Sequence, residues 1–384
     1  MKIAHISDLH IQEKVRFGPS LAVLREFVSE VEKRKIELVC VTGDLSGKDA
    51  PHRMTPKERH ALAAWFRSLS GLCPVLIIRG NHDTLGELRV FEKCASKYTI
   101  NYIEQIDSCG YILTDETVFV VAVPYAPIRE YGADLLKLPS EESHKIALDR
   151  LREKIANALG QNDQDKILLG HMPVFGVSTG TFEITSFRDL CPPVDFFEPF
   201  GFRYVGLGHI HRRQHVYGAV HYAGSPYPTD FGDMQLDGKG FNVVDTTTGT
   251  VEFVPLESWS CRTFHFDVDC DALVPREDSN LIACGKKELD NTYCKLFIHI
   301  GKTEDKNSLD MSIYQNHILR NGGHFDSVKF VPKVEKDDGT IQEPSEDLDT
   351  KDVLKEYIMS TQKNVAVKNR AVEIIEGLCS NTTG

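Results

Sequence analysis

Val39-Cys40-Val41-Thr42-Gly43-Asp44 reads as a short apolar strand closing in a Gly-Asp turn. Such a segment sets a carboxylate at a strand end, where glycine lets the backbone bend sharply. The same grammar recurs along the chain. Asp8 and His10 follow the strand Ile3 to Ile6, and Gly80-Asn81-His82-Asp83 follows the run Pro74 to Ile78. Gly170-His171 follows Ile167-Leu168-Leu169, and Gly208-His209-Ile210-His211 follows Tyr204-Val205-Gly206-Leu207. An α/β protein with polar loops at successive strand ends is the fold class this implies.

Taken singly, each segment has a plainer reading. Asp8-Leu9-His10 serves as a turn, Asn81 and Asp83 as an Asx turn, and each histidine as a satisfied core residue. Taken together, Asp8, His10, Asp44, Asn81, His171, His209 and His211 form a donor set for two metal ions. One carboxylate, Asp44, bridges two cations, and the others divide into shells that leave room for water and substrate. Two such ions neutralise the incoming and departing oxygens of an in-line displacement at phosphorus. Imidazole with carboxylate and amide oxygen suits Mn2+, Fe2+ or Zn2+ better than Mg2+ or Ca2+, and Mn2+ is the expected ion. The nucleophile is then a hydroxide held between the ions, so no Ser, Cys or Thr nucleophile is required.

The order Asp-x-His, Gly-Asp, Gly-Asn-His-Asp, Gly-His, Gly-His-x-His resembles the calcineurin-like metallophosphoesterase superfamily over roughly residues 1 to 255. The resemblance implies a four-layered α/β/β/α sandwich. It implies one ion on Asp8, His10, Asp44 and His211, and a second on Asp44, Asn81, His171 and His209. His82 is left over as the catalytic side chain that stabilises the transition state or protonates the leaving oxygen. Asp83 is expected to set its tautomer and raise its pKa.

The superfamily alone does not choose a substrate. The run Val220-His221-Tyr222-Ala223-Gly224-Ser225-Pro226-Tyr227-Pro228-Thr229-Asp230-Phe231-Gly232-Asp233, with Lys239-Gly240-Phe241, is similar to the corresponding run of SbcD-type nuclease subunits. By itself the run reads as a hairpin between Val220 to Ala223 and Phe241 to Val244, with Ser225 offering a hydroxyl to a phosphate chain. The SbcD resemblance implies a DNA exonuclease or endonuclease acting in double-strand-break processing, recombination or replication. It also implies an SbcC-like SMC-type ATPase partner and a homodimer within a heterotetramer. The chain departs from the pattern at Ile11-Gln12-Glu13 and Leu45-Ser46-Gly47, where the usual Phe and the histidine close behind it are absent, and neither His52 nor His60 is taken as a substitute.

A length of 384 residues corresponds to ~2 to 3 domains. We expect a nuclease domain over 1–258, a small α+β capping, DNA-orienting domain over 259–334, an acidic linker over 335–351 and C-terminal helices over 352–384 that dock the ATPase. Helices are expected over Ser20 to Arg34, from Thr55-Pro56 through Leu69, over Ser143 to Leu159 and over Ser308 to Arg320. Ten cysteines without a Cys-x-x-Cys pair, and no signal peptide or apolar span, point to a reduced, cytoplasmic protein without a membrane partner.

A net charge of −12 opposes strong autonomous DNA binding, which rests on Lys and Arg at phosphates. Arg212 and Arg213 beside the last loop, and Lys14 and Arg16 beside the first, are the candidate local contacts. The competing functions are a small-molecule phosphodiesterase or phosphoprotein phosphatase, and a non-catalytic scaffold bridging DNA and the ATPase.

Overall fold

The computed structural model describes residues 2–47, 53–113, 116–161, 165–178, 189–233, 238–269, 272–277, 279–301 and 309–333. His52, the linker expected at 335–351 and the helices expected at 352–384 lie outside the described residues. The chain divides into two compact units. One comprises Met1–Arg262, Lys286–Cys294 and Arg320–Phe325; the other comprises Thr263–Gly285, Lys295–Leu319 and the residues from Asp326 on.

In chain order the first unit begins β1 (Lys2–Ile6), α1 (Phe17–Arg34), β2 (Leu38–Thr42), α2 (Pro56–Leu72), β3 (Val75–Ile78) and β4 (Ile100–Ile103). It continues with β5 (Asp107–Leu113), β6 (Glu116–Val123), α3 (Ser140–Leu159), β7 (Lys166–His171) and β8 (Tyr204–Gly208). Then come β9 (Gln214–Tyr217), β10 (Val220–Tyr222), β11 (Gly240–Asp245) and β12 (Val251–Pro255). These strands form two six-stranded sheets, ordered β12-β11-β1-β2-β3-β4 and β5-β6-β7-β8-β10-β9.

Strand alternation explains the layering. In β2, Val39 and Val41 face a core built with Leu24, Phe27 and Val31 of α1 and Leu62, Phe66 and Leu69 of α2. Leu38 and Cys40 face the other way, meeting Val118, Val120, Ile167 and Leu169 of the second sheet. That sheet's outer residues Val121, Val123 and Leu168 pack on Ala147, Leu151 and Ile155 of α3. Both faces of the central strands are therefore apolar, and the result is the expected α/β/β/α sandwich. The helices start close to where their patterns place them. Thr55 caps α2 in a box with Glu58, and α1 ends where Lys35 turns into the left-handed region.

One polar strut crosses the apolar layer between the sheets. His5 meets Tyr204 Oη through Nδ1 at 2.7 Å and Thr42 Oγ1 through Nε2 at 2.8 Å, and Asn242 donates to the same tyrosine oxygen. Burial lowers the His5 pKa to about 3, so the ring is neutral and holds both bonds across the physiological range.

The expected hairpin between Val220 to Ala223 and Phe241 to Val244 does not form. β10 pairs with β8 and β9 in the second sheet, whereas β11 pairs with β1 and β12 in the first. The chain instead crosses from one sheet to the other between β10 and β11. Local pattern cannot distinguish these outcomes, because β11 finds its partner at the other end of the sequence.

β13 (Ser260–Asp269), β14 (Ala272–Pro275), α4 (Lys286–Leu289), β15 (Thr292–Ile300), α5 (Ser312–Arg320) and β16 (His324–Pro332) complete the described elements. The strands form one sheet, ordered β14-β13-β15-β16, and in the second unit Phe266 of β13 packs on Tyr314 of α5 at 4.6 Å between ring centroids. The residues form the α+β arrangement their alternation predicts. Among the described residues no helix is long and apolar enough to cross a membrane.

Candidate metal centre

Parallel pairing brings the five loops together. β1, β2 and β3 run in register, with Ile6 beside Val41 and Thr42 beside Ile78, and β7 and β8 align His171 with Gly208. Every candidate loop therefore leaves a sheet at the carboxyl ends of parallel strands, where α/β sheets open a crevice.

The backbone there is bent against its preference. Asp8, His10, Asp44 and His209 have φ of 55°, 41°, 54° and 92°, in the left-handed region that non-glycine residues avoid. Each such residue costs on the order of 1–3 kcal/mol, and the surrounding hydrogen bonds hold it in place. Asp8 N–H donates to Gly43 O, His10 N–H to Asp44 O and Ile11 N–H to Leu45 O, so the first two loops are zipped together.

Asp44 lies at the middle. Its Oδ1 accepts the His82 N–H at 2.9 Å, while Oδ2 lies 3.6 Å from His10 Nε2 and 3.4 Å from His171 Nε2. On one side, His10 Nε2 and His211 Nε2 are 3.0 Å apart, and His211 Nε2 is 4.0 Å from Asp8 Oδ1. On the other, Asn81 Oδ1 is 2.9 Å from both His171 Nε2 and His209 Nδ1. Potential ligand atoms of Asp8, His10 and His211, and of Asp8, Asp44 and His171, all lie within 4.8 Å of one another in each group. The structure thus brings the seven expected donors together about Asp44, with Asp8 close to both sides.

The far nitrogens decide the tautomers. His10 Nδ1–H donates to Ser46 O at 3.1 Å and His171 Nδ1–H to Thr42 O at 2.7 Å. His211 Nδ1–H donates to Thr229 Oγ1 at 2.9 Å, and that hydroxyl donates on to Asp233. A neutral imidazole with Nδ1 protonated turns a bare Nε2 lone pair inward. Two such lone pairs 3.0 Å apart, on His10 and His211, repel unless a cation or a proton lies beside them. The donor set and its orientation fit divalent cations.

Charge follows the same plan. Burial opposes ionisation of Asp44, but His171, His10 and His82 outweigh it and hold its carboxyl well below the usual range. Asp8 is shifted up by burial, with His171 and His211 opposing. Burial lowers His171, yet Asp44 overrides it and raises the pKa to about 9, whereas burial and the neighbouring His171 lower His209 to about 3. Below pH 9 the cation-free protein therefore keeps a proton on His171 that a metal must displace. Metal affinity is expected to rise about tenfold per pH unit toward pH 9 and then level off, with about one proton released per binding event near neutrality. Calorimetry in buffers of different ionisation heat measures this; binding without proton release contradicts it.

Other expected roles change. Asp83 does not orient His82: its carboxylate accepts from the backbone N–H groups of Gly80, Asp44, Leu45 and Ser46, at 2.8 to 3.2 Å. Burial, reinforced by Asp44, raises its pKa to about 6 against the pull of the Gly80 and Ser46 amides, so it is ionised at neutral pH and staples the Asp44 loop. The His82 pKa is lowered, not raised, because burial outweighs the nearby Asp44. Its ring lies edge-on to His10 at 5.1 Å, and its Nδ1 has no hydrogen-bond partner among the described residues.

Ser225 is not positioned for a phosphate. It is buried, donates to Asp233 Oδ2 and accepts from Lys239 Nζ. Lys239 also donates to Asp233 Oδ1 and to His211 O, so the crossover forms a rigid bracket behind His211. Tyr222 Oη donates to Met172 O, next to His171, and Tyr227 Oη donates to Leu9 O, between Asp8 and His10. The run quoted for its resemblance is therefore a clamp on three ligand loops. Thr229→Val, which removes the His211 acceptor, is expected to weaken metal binding about 10- to 100-fold while leaving the fold intact. Metal titration beside far-ultraviolet circular dichroism tests this; unchanged affinity would argue against the clamp.

Arg212 donates to Ser178 Oγ at 3.1 Å, and the Arg213 guanidinium lies 4.2 Å from the Phe253 ring centroid. Arg16 lies over Tyr293 at 4.5 Å, and Lys14 and His60 are exposed. Tyr125, which belongs to none of the motifs, stands edge-on to His171 with ring centroids 6.4 Å apart. Its one signal in the sequence is its place just past the strand β6.

Comparison with known proteins agrees with this geometry. The chain is 25% identical over 269 residues to the SbcD component of nuclease SbcCD from Staphylococcus epidermidis, covering 67% of this chain and 70% of that protein. It is 24% identical to the Escherichia coli K12 protein of the same name, covering 66% and 67%. It is 23% identical to the DNA double-strand break repair protein Mre11 of Methanocaldococcus jannaschii, covering 69% and 68%. Residues 1–213, which contain every candidate donor, match the calcineurin-like phosphoesterase family. With five donor loops in that family's order on an α/β/β/α frame, the chain belongs to the calcineurin-like phosphoesterases.

Proposed function

We propose that the chain is a two-metal DNA phosphodiesterase, the nuclease subunit of an SbcCD-like complex. The observation that carries the reading is the convergence of seven donors about Asp44, with Nδ1 of His10 and His171 bonded to backbone carbonyls so that Nε2 of each faces inward. Asp8, His10, Asp44 and His211 hold one divalent cation, and Asp44, Asn81, His171 and His209 hold the other, with Mn2+ the expected ion. When bound, such a pair acidifies water and neutralises charge on a phosphodiester.

The protein's own groups do the rest. Asp44, ionised and pinned through Oδ1 to the His82 amide, keeps the two donor groups at a fixed separation. Ser46, Thr42 and Thr229 hold the imidazoles in one tautomer, so no reorganisation is needed on turnover. His82 is neutral at pH 7 and directs one N–H at a phosphoryl oxygen or at the leaving oxygen.

The relatives' names, a subunit of nuclease SbcCD and a DNA double-strand break repair protein, support DNA as substrate and a partner subunit; in this reading the partner is an SMC-type ATPase and the chain forms a homodimer within a heterotetramer. The net charge of −12 fits a protein that relies on a partner for its grip on DNA. In this reading residues 259–334 orient DNA and residues 352–384 dock the ATPase.

The test is cleavage of end-labelled duplex and single-stranded DNA in Mn2+, in Mg2+ and in chelator, with and without an SMC-type ATPase. Metal-dependent shortening that His82→Asn suppresses while metal content stays constant supports the reading. Turnover of bis(4-nitrophenyl) phosphate with no DNA cleavage under any condition replaces it with a small-molecule phosphodiesterase.

A further inference from the structure

A cavity of about 550 Å3 lies in the first unit, bounded by the turn after β4, the loop after β6 and the last turns of α3. Tyr125, Tyr131, Glu104, Glu130, Lys154 and Asn157 supply its character. Two independent links tie it to the candidate metal centre. Val123 of β6 is in register with Gly170 of β7, so Tyr125 leaves the sheet beside His171, and the two rings stand edge to face. Tyr125 N–H also donates to Arg79 O, and Arg79 Nη2 returns a bond to Tyr125 O at 2.5 Å. Arg79 immediately precedes Gly80-Asn81-His82, and its guanidinium is 3.5 Å from Glu130 on the cavity wall. The wall and the Asn81 loop are thus one mechanical piece.

The lining selects a ligand class. Glu104, Asp107 and Glu130 offer carboxylate oxygens to N–H donors, while Arg89 on Glu104, Arg79 on Glu130 and Lys154 balance their charge. Glu104 keeps acceptor capacity while bonded to Arg89 and the Gly86 amide, and its carboxyl stays below the usual range because these partners outweigh burial. Tyr125 adds aromatic surface, Tyr131 carries Lys154 Nζ at 5.0 Å from its ring centroid, and the volume falls in the range of pockets that take small organic groups. An aromatic group edged with amines, carried one bond system away from a phosphate, matches all three properties.

Resting on the phosphodiesterase reading above, we propose that this cavity is a nucleobase subsite. It takes the amino-bearing base of the nucleotide next to the scissile phosphate, against Tyr125, with the exocyclic amine toward Glu104 and Glu130. The phosphate then falls at the Asn81, His171 and His209 group.

Asn157→Trp tests the assignment, because Asn157 is exposed on α3 and an indole there fills the cavity without touching the core. On the 4-nitrophenyl ester of adenosine 5′-monophosphate the variant is expected to lose about tenfold or more in kcat/KM, the effect of one lost base contact. On bis(4-nitrophenyl) phosphate, which has no base, it is expected to stay within about twofold of wild type. Equal losses on both esters, or none, overturn the subsite. Saturation-transfer NMR with adenosine and metal-free protein gives a readout independent of catalysis. Saturation of the base protons by wild type but not by Asn157→Trp supports the subsite, and no saturation by wild type overturns it. A wild-type protein that hydrolyses neither ester refutes the phosphodiesterase reading, while the NMR result still decides the cavity.

Discussion

Asp44→Asn is expected to lower phosphodiester hydrolysis by at least about 10³-fold, about 4 kcal/mol of transition-state stabilisation, without unfolding the protein. The amide keeps the shape of the carboxylate and can still accept from the His82 N–H. What disappears is the charge between His10 and His171, whose Nε2 atoms lie 3.6 and 3.4 Å from Oδ2. His171 loses the partner that raises its pKa to about 9, so proton release on metal binding should disappear with the activity. Metal stoichiometry should fall below two per chain. Retention of two ions with full hydrolysis would rule out the bridging role proposed for Asp44. Circular dichroism in chelator separates this outcome from unfolding.

Gly208→Ala is expected to act through space rather than charge. A Cβ on Gly208 would run into Ser7 Oγ and Thr42 O and would lie 2.8 Å from His171 Nδ1. It would sit on the bond that fixes the His171 tautomer, at a close approach of the two sheets beside the site. Neither backbone yields easily, since Thr42 pairs with Ile78 in the first sheet and Gly208 with His171 in the second. Overpacking of this kind costs about 1–3 kcal/mol. Urea unfolding should show that loss, and metal titration should show weakened binding. Gly71→Ala in α2 is the control, because nothing lies within 4 Å of its Cβ and helix propensity favours alanine. Equal stability of the two variants would show that the close approach at Gly208 is unimportant.

The α/β class and the seven candidate donors were legible in local pattern, and the four layers through the family resemblance that the ordered motifs carry. The unbroken apolar run Leu38 to Val41 announces a strand buried on both faces, and a polar residue just past a strand end is visible without knowing what it faces. What was illegible depends on contacts between distant segments. Asp83 looks like a partner for its neighbour His82, yet its acceptors are used by amides near residue 45. Ser225 looks free for a ligand until Lys239 and Asp233 close around it. The hairpin expected between β10 and β11 fails for the same reason, since β11 pairs with β1. Tyr125 carries no motif, and only the β6–β7 register places it at the site.

The crossover between the sheets also orders events in time. Synthesis proceeds from the amino terminus, and domains fold as their segments emerge. Asp8, His10, Asp44 and Asn81 are made early, but the bracket behind His211 closes only when Lys239 is present, and β1 gains its outer neighbour only with β11. Until Lys239 and β11 have emerged, the nascent chain has Ser46 and Thr42 to orient His10 and His171 but no bracket behind His211. On the two-metal reading the centre is therefore completed only near the end of the phosphoesterase segment, and a partly made chain is an idle hydrolase.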